Sequence, residues 1–314
     1  MNPLSGFYGA GIALRNKLFD RGALSTMRLD RPVISVGNLS TGGSGKTPFV
    51  ISIGELLKER GIPFDVLSRG YGRKTRGIRI VDPTGYASEF GDEPLLIARK
   101  LGVPVIVGER RYEAGQVAEQ EFQTQLHLLD DGFQHRSLAR DFDIVLIAPG
   151  DFHDHLLPSG RLREPPSSLR RADAIILPQD LIAEDLALSG KPIFRMAREI
   201  VLSDPSTSPV VFCGLARPEQ FFAQVRAAGV TSLAEVVFRD HHAYSKHDIQ
   251  RLLVMRRELG AGGFLTTEKD AINLGPLYAD LEPLTIPALK LTLDRPADLL
   301  NTILARIAER KPRS

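Results

Sequence analysis

The segment Gly37-Asn38-Leu39-Ser40-Thr41-Gly42-Gly43-Ser44-Gly45-Lys46-Thr47-Pro48 holds the residues best suited to chemistry. Its glycines let successive backbone N–H groups turn toward one point, which makes a concave site for an anion. Thr41, Gly42, Gly43, Ser44 and Gly45 form the loop itself. A helix opening at Lys46 would add the positive end of its dipole at the same place. In that setting Lys46 reaches the terminal phosphates of a nucleotide such as ATP, and the Thr47 hydroxyl ligates Mg²⁺. Ser40 stands where the usual pattern has its first glycine, so this is a variant phosphate loop. The plainer alternative is a glycine-rich turn between a strand and a helix.

Other polar residues admit two readings each. Asp130-Asp131-Gly132 closes the apolar run at 126–129. It is either a turn or the carboxylate pair beside the phosphate loop, with Asp130 the better placed to support a metal shell. Asp92, in Gly91-Asp92-Glu93-Pro94, either caps a helix or accepts a proton from an acceptor hydroxyl. Asp240-His241-His242 is either a polar loop or the source of a histidine coupled to Asp92 across a cleft. His153 and His155 belong to a solvated loop, because too few other ligands are spaced for zinc. Arginines cluster at Arg69, Arg73, Arg76 and Arg79, then at Arg110, Arg111, Arg161, Arg163, Arg170 and Arg171. Several of them around one site would suit a substrate that already carries phosphate.

These residues need elements to carry them. Apolar strands are expected at 33–36, 64–67, 103–107, 126–129, 144–147 and 174–177, with helices at 46–60, 93–101 and 112–121. Continuous apolar strands alternating with helices imply an α/β fold with a mostly parallel sheet covered on both faces. A second, smaller α/β set follows, with strands at 209–212, 232–238 and 264–266 and helices at 218–228 and 246–259. Stretches 192–196 and 289–293 flank it and pair as a two-stranded linker, and a helix at 296–309 returns to the first set. The chain therefore divides into 1–31, 32–191, a linker at 192–200 with 287–294, 201–286, and 295–314. Within the first segment Leu4, Phe7, Tyr8, Ile12, Leu14, Leu18 and Phe19 recur at helical spacing among basic residues. That pattern fits an interfacial helix or a helix packed on the main body.

Bulk properties exclude some classes. The 314 residues include 40 Lys and Arg against 38 Asp and Glu, a net charge of +2, too balanced for a nucleic-acid-binding surface. Arg69-Gly70-Tyr71-Gly72 echoes an RNA-binding motif but lacks the aromatic strand that would follow. Cys213 is the single cysteine, so no intrachain disulfide forms. No apolar run reaches membrane-spanning length, and residues 1–10 lack a secretory pattern. The expected location is the cytosol, or a membrane surface met from the cytosolic side.

Further blocks extend the pattern: Ser68-Arg69-Gly70-Tyr71-Gly72-Arg73, Leu129-Asp130-Asp131-Gly132-Phe133-Gln134-His135-Arg136, Leu157-Pro158-Ser159-Gly160-Arg161-Leu162-Arg163-Glu164-Pro165, Arg171-Ala172-Asp173, and Thr266-Thr267-Glu268-Lys269-Asp270. With the phosphate loop, Gly91-Asp92-Glu93-Pro94 and Asp240-His241-His242 they run in order along nearly the whole chain. In these blocks the sequence resembles the tetraacyldisaccharide 4′-kinase (lipid A 4′-kinase) family. The resemblance implies a P-loop NTPase-like fold with a second, smaller α/β domain on a two-stranded β linker. It implies transfer of the ATP γ-phosphate to the 4′-hydroxyl of a tetraacylated glucosamine disaccharide 1-phosphate, with Mg²⁺, on the cytoplasmic face of the bacterial inner membrane. No nucleic acid or protein partner is implied. Asp92 becomes the base, His241 its partner, and Lys46 the phosphate lysine. Glu93 and Asp130 join Thr47 around the metal. Asp131 and His135 are site residues, and Arg73, Arg110, Arg111 and Arg171 are candidates for phosphate contacts. The amphipathic start gains a reason to meet a bilayer. A nucleotide-dependent switch without a lipid acceptor would share the phosphate loop but would not need Asp92.

Overall fold

The computed structural model describes residues 3–181, 190–202 and 208–309. Residues 1–2, 182–189, 203–207 and 310–314 belong to the expected segments but lie outside the described residues. The strands are β1 (Val33–Asn38), β2 (Phe64–Ser68), β3 (Arg79–Ile80), β4 (Val105–Val107), β5 (Leu126–Asp130), β6 (Phe142–Leu146), β7 (Ala174–Pro178), β8 (Ile193–Val201), β9 (Val210–Cys213), β10 (Ala234–Val237), β11 (Phe264–Leu265), β12 (Leu284–Thr285) and β13 (Ala288–Leu293). The helices are α1 (Pro3–Asp20), α2 (Lys46–Glu59), α3 (Ala87–Phe90), α4 (Asp92–Leu101), α5 (Arg111–Glu121), α6 (Pro218–Ala227), α7 (Lys246–Leu259), α8 (Glu268–Leu274) and α9 (Pro296–Ala308).

The apolar runs of the first half become one nine-stranded sheet in the order β13-β8-β7-β6-β1-β5-β2-β4-β3. Every residue of β1, β2, β5 and β6 is buried, as strands covered on both faces must be. Pairing is parallel throughout except at the two edges, where β3 runs against β4 and β13 against β8. β1 sits between β5 and β6, with Val36 in register with Asp130. The phosphate loop thus leaves the carboxyl end of a central strand next to the carboxyl end of β5, where open α/β sheets bind their ligands. α2 buries Phe49, Val50, Ile53 and Leu57 on one face, and α9 returns to the same core with Leu299, Leu300 and Ile303. The second sheet, β10-β9-β11-β12, is wholly parallel. It packs around Phe212, Phe264, Ile249 and Leu252.

Several elements depart from expectation. The stretch expected at 192–196 runs on as β8 to Val201, and it is residues 196–201 that pair antiparallel with Ala288–Leu293. The first half of β8 also pairs in parallel with β7, from Ile193 to Met196, so the linker grows out of the main sheet. The strand expected at 232–238 spans Ala234–Val237, and the one at 103–107 spans Val105–Val107. β3, β12 and the short helices α3 and α8 were not expected, being too brief to show a period. At the start, α1 forms and packs on the main body, while part of its apolar side stays exposed. Its Tyr8 hydroxyl donates to the Arg163 carbonyl at 3.1 Å and its Asn16 amide to Glu164 at 2.8 Å. Leu4, Phe7 and Leu14 face outward, at 60%, 77% and 59% exposure. Among the described residues no helix is long and apolar enough to cross a membrane.

At the amino-terminal end of β5, away from the phosphate loop, His127 is fully buried among acids. Its Nδ1 lies 2.8 Å from Asp65 and its Nε2 3.3 Å from Glu119, while Thr124 donates to Asp65 at 2.6 Å. Burial alone would push its pKa down, but the bonds to Asp65 and Glu119 outweigh it and push it up to about 9. A histidine raised above its ordinary 6.5 contributes stability that is complete below that value and is lost as pH rises through about 9. His127→Gln should cost about 3–5 kcal/mol at neutral pH, the usual penalty for breaking a buried ion pair. Urea midpoints of the two proteins should converge between neutral pH and about pH 10, once the wild-type histidine is neutral. Parallel midpoint curves would show that this cluster carries no charge.

Candidate active site

The phosphate loop adopts the conformation its glycines permit. Gly42, Gly43 and Gly45 all have positive φ, and Gly45 in the left-handed region caps α2. Lys46 opens the helix, with Thr47 nearly buried behind it. The Lys46 ammonium donates to Asn38 Oδ1 at 3.0 Å and stands 3.5 Å from Asp131. Arg163 holds the other oxygen of Asp131 at 2.9 Å. Burial would raise the Asp131 pKa, but the two cations keep it well below the usual carboxylate range.

Asp130 has the opposite environment. It is 2% exposed, its Oδ2 accepts from the Ser68 hydroxyl at 3.1 Å, and its Oδ1 has no hydrogen-bond partner. Burial, then the nearby carboxylates of Glu93 and Asp131, push its pKa up. A buried oxygen without a donor, among like charges, fits a site completed by a cation.

The third part comes from both sheets. Asp92 begins α4 and is 3% exposed. Its two oxygens lie 2.9 and 3.0 Å from His241 Nδ1, and Oδ2 accepts from Asn273 at 2.9 Å. Lys269 stands 3.9 Å from Asp92, 3.7 Å from Glu93 and 3.2 Å from Asp240. Its ammonium also donates to His241 Nε2 at 3.2 Å. An ammonium has no lone pair, so Nε2 accepts and the imidazole carries its hydrogen on Nδ1, facing Asp92. Burial disfavours the Asp92 carboxylate, yet the His241, Lys269 and Asn273 contacts together leave its pKa below the ordinary value. Asp92 is therefore ionised at neutral pH. Asp131 and His241 are two of the three described non-glycine residues with positive φ, a conformation that concentrates at functional sites. Between the phosphate loop, β8, β13 and the second sheet lies a cavity of about 630 Å³, whose walls include Lys46, Glu93, His241 and Lys269.

Known proteins match this chain over nearly its whole length. The family model for tetraacyldisaccharide-1-P 4′-kinase matches residues 1–308. The chain belongs to the tetraacyldisaccharide-1-P 4′-kinase family. Tetraacyldisaccharide 4′-kinase of Koribacter versatilis is 48% identical over 321 residues, covering 99% of both chains. That of Aquifex aeolicus is 39% identical over 289 residues, covering 87% of this chain and 88% of its own. The crystal structure of "apo" form LpxK from Aquifex aeolicus in complex with ATP has a TM-score of 0.78 and 37% identity, covering 97% of each chain.

Within this family member the remaining candidates separate. Arg111 is 5% exposed and donates to the Glu109 carbonyl at 2.8 Å. Burial, then Arg69, pull its pKa down to about 10. His135 is held neutral, its pKa pulled down to about 4 by burial and by Arg111 and Arg140. None of Arg73, Arg110, Arg111, His135 and Arg171 lines the cavity. Arg73 pairs with Glu109 at 2.7 Å, and Arg110, 81% exposed, pairs with Glu113. Arg171 is clamped by Glu164 at 2.9 and 3.1 Å over the Phe133 ring. Asn38, Ser68, Arg163 (named only within the arginine cluster), Lys269 and Asn273 were given no individual site role from sequence. The first four lie inside the blocks quoted above, which was the available signal, whereas Asn273 lies outside every block.

The second sheet closes directly on the loop. A Cβ on Gly42 would stand 2.4 Å from the Ala216 Cβ, at a backbone φ of +65°. Gly42→Ala should therefore hold the two apart and lower turnover by about 100-fold, as displacements near 1 Å do. Adding Ala216→Gly should restore part of the loss in a steady-state assay. No rescue would mean that this contact is absent during turnover.

Proposed function

We propose that this chain transfers the γ-phosphate of ATP to the 4′-hydroxyl of a tetraacylated glucosamine disaccharide 1-phosphate. The observation that carries the reading is the Asp92–His241 pair, an ionised carboxylate whose partners His241 and Lys269 line the same cavity as the phosphate loop. The backbone amides of 41–47 hold the phosphate chain, and Lys46 moves from Asn38 and Asp131 to the β- and γ-phosphates. The acceptor 4′-oxygen forms the new bond to the γ-phosphorus while the bond to the β–γ bridging oxygen breaks. The hydroxyl proton passes to Asp92, and ADP leaves. His241, Asn273 and Lys269 keep the carboxylate ionised and aimed. Because the transition state is loose, positioning and charge matter more than strong basicity, which suits a carboxylate of lowered pKa.

Thr47, Glu93 and Asp130 would hold Mg²⁺, and the unpartnered oxygen of Asp130 favours this. Among the described residues no group of three or more His, Cys, Asp or Glu is arranged to bind a metal without other ligands. Mg²⁺ commonly completes its shell with water and substrate phosphate. Held there, it would offset the negative charge of the phosphate chain. Asp131, with Arg163, serves as the resting partner of Lys46. The outward Leu4, Phe7 and Leu14 of α1 support a peripheral seat on the cytoplasmic face of the inner membrane, where a lipid acceptor is met.

Transfer of label from ATP should reach a lipid A disaccharide precursor and fail with the same sugar lacking acyl chains. Asp92→Asn should lower kcat by about 10²–10⁴-fold, the range for a positioned base, while ATP affinity holds. Unchanged turnover would remove Asp92 from the base role. Replacing Leu4, Phe7 and Leu14 together with Ser should reduce co-sedimentation with anionic vesicles, and full retention would reject the membrane seat.

A further inference from the structure

Five cationic side chains reach the cavity wall from outside the phosphate-loop helix: Lys100, Arg198, Arg217, Lys269 and Lys290. Four already have partners: Lys100 pairs with Glu268, and Lys290 stands 3.4 Å from Glu199. Lys269 is surrounded by Asp240, Glu93 and Asp92. Arg217 stands 3.7 Å from Asp151 and donates to the Pro149 carbonyl at 3.1 Å. Arg198 is different. Its guanidinium donates to Gln220 Oε1 at 3.3 Å, and among the described residues no carboxylate lies within ion-pair distance of it. Burial, then the like charge of Arg217, pull its pKa down, and only Asp180 opposes them. An arginine does not lose its proton in a protein. A sheltered guanidinium with one neutral acceptor is a binding group waiting for an anion.

Its position says which anion. Arg198 lies on β8 just past Met196, where pairing with β7 ends, and opposite Leu291 of β13. It therefore belongs to the linker and not to the loop. Its Nη1 would be 2.8 Å from a Cβ on Gly45, so the guanidinium rests over the residue that caps α2 and precedes Lys46. The adjoining cavity of about 630 Å³ lies within the usual range for a small-molecule ligand.

We propose that Arg198 is a ligand of the nucleotide's phosphate chain, gripping from the linker the same polyphosphate that the loop holds. The guanidinium presents paired N–H donors that match phosphate oxygens. A phosphate held on both sides ties β8 to the loop, so bound nucleotide also steadies the second sheet over the cleft. This rests on the kinase reading above.

Displacement of a fluorescent ATP analogue from the full chain tests it, with ATP, ADP and adenosine as competitors. Arg198→Gln should weaken ATP and ADP by about 10- to 100-fold, the yield of one hydrogen-bonded charge contact, and leave adenosine unchanged. Arg198→Lys should recover part of the loss. Unchanged ATP affinity in Arg198→Gln would overturn the proposal, as would an equal loss for adenosine, which marks a base contact or a disturbed fold. If Arg198→Gln does not fold, Arg198→Lys decides by the same comparison, weaker for ATP than wild type with adenosine unchanged. Failure of the wild-type chain to bind ATP would instead reject the kinase reading.

Discussion

Asp92 is a buried carboxylate at the start of α4 whose partners stand on α8 and in the loop after β10. His241, Asn273 and Lys269 approach it from the far side of the cleft. A buried charge without partners costs several kcal/mol, roughly the margin by which a domain is stable. The ionised form of Asp92 and the approach of the second sheet are thus one arrangement. Separating the sheets would leave the carboxylate to water, or to protonation. The closed cleft keeps it dry, charged and fixed.

The rest of the site distributes charge around that constraint. Asp131 neutralises Lys46 and Arg163, whereas Asp130 keeps an oxygen without a donor. Two adjacent aspartates therefore have opposite electrostatics, the first with its pKa raised and the second with its pKa lowered. The cause is geometric. Asp130 ends β5 and points among buried groups, while Asp131, with φ of 51°, turns toward the loop lysine. Lys269 plays the balancing part on the other side, set among three carboxylates and one imidazole.

What could be read from the residues follows the range of the interactions involved. The phosphate loop is local, its glycines, lysine and helix start lying within a dozen residues, so its form was legible. So were the apolar strands, because burial on both faces leaves a continuous run. Asp92 was ambiguous because a cap and a base look alike in sequence, and its deciding partner is 149 positions away. Arg73, Arg110 and Arg171 were legible as cations but not as paired ones. Glu109 and Glu164 claim Arg73 and Arg171 only once the loops fold, and Glu113 takes Arg110 three positions on, at the start of α5. The attachment of β8 to β7, and with it the placement of Arg198, depends on which strand finds which edge, and no local pattern records that.

The most direct test of the coupling between the sheets is a double-mutant cycle on phosphate transfer, using Asp92→Asn, His241→Ala and both together. If His241 acts through the Asp92 carboxylate, the double variant should be little slower than Asp92→Asn alone, leaving a coupling of about 0.5–3 kcal/mol, the range for residues in contact. Losses that multiply independently would contradict the pairing and separate the two side chains in the mechanism.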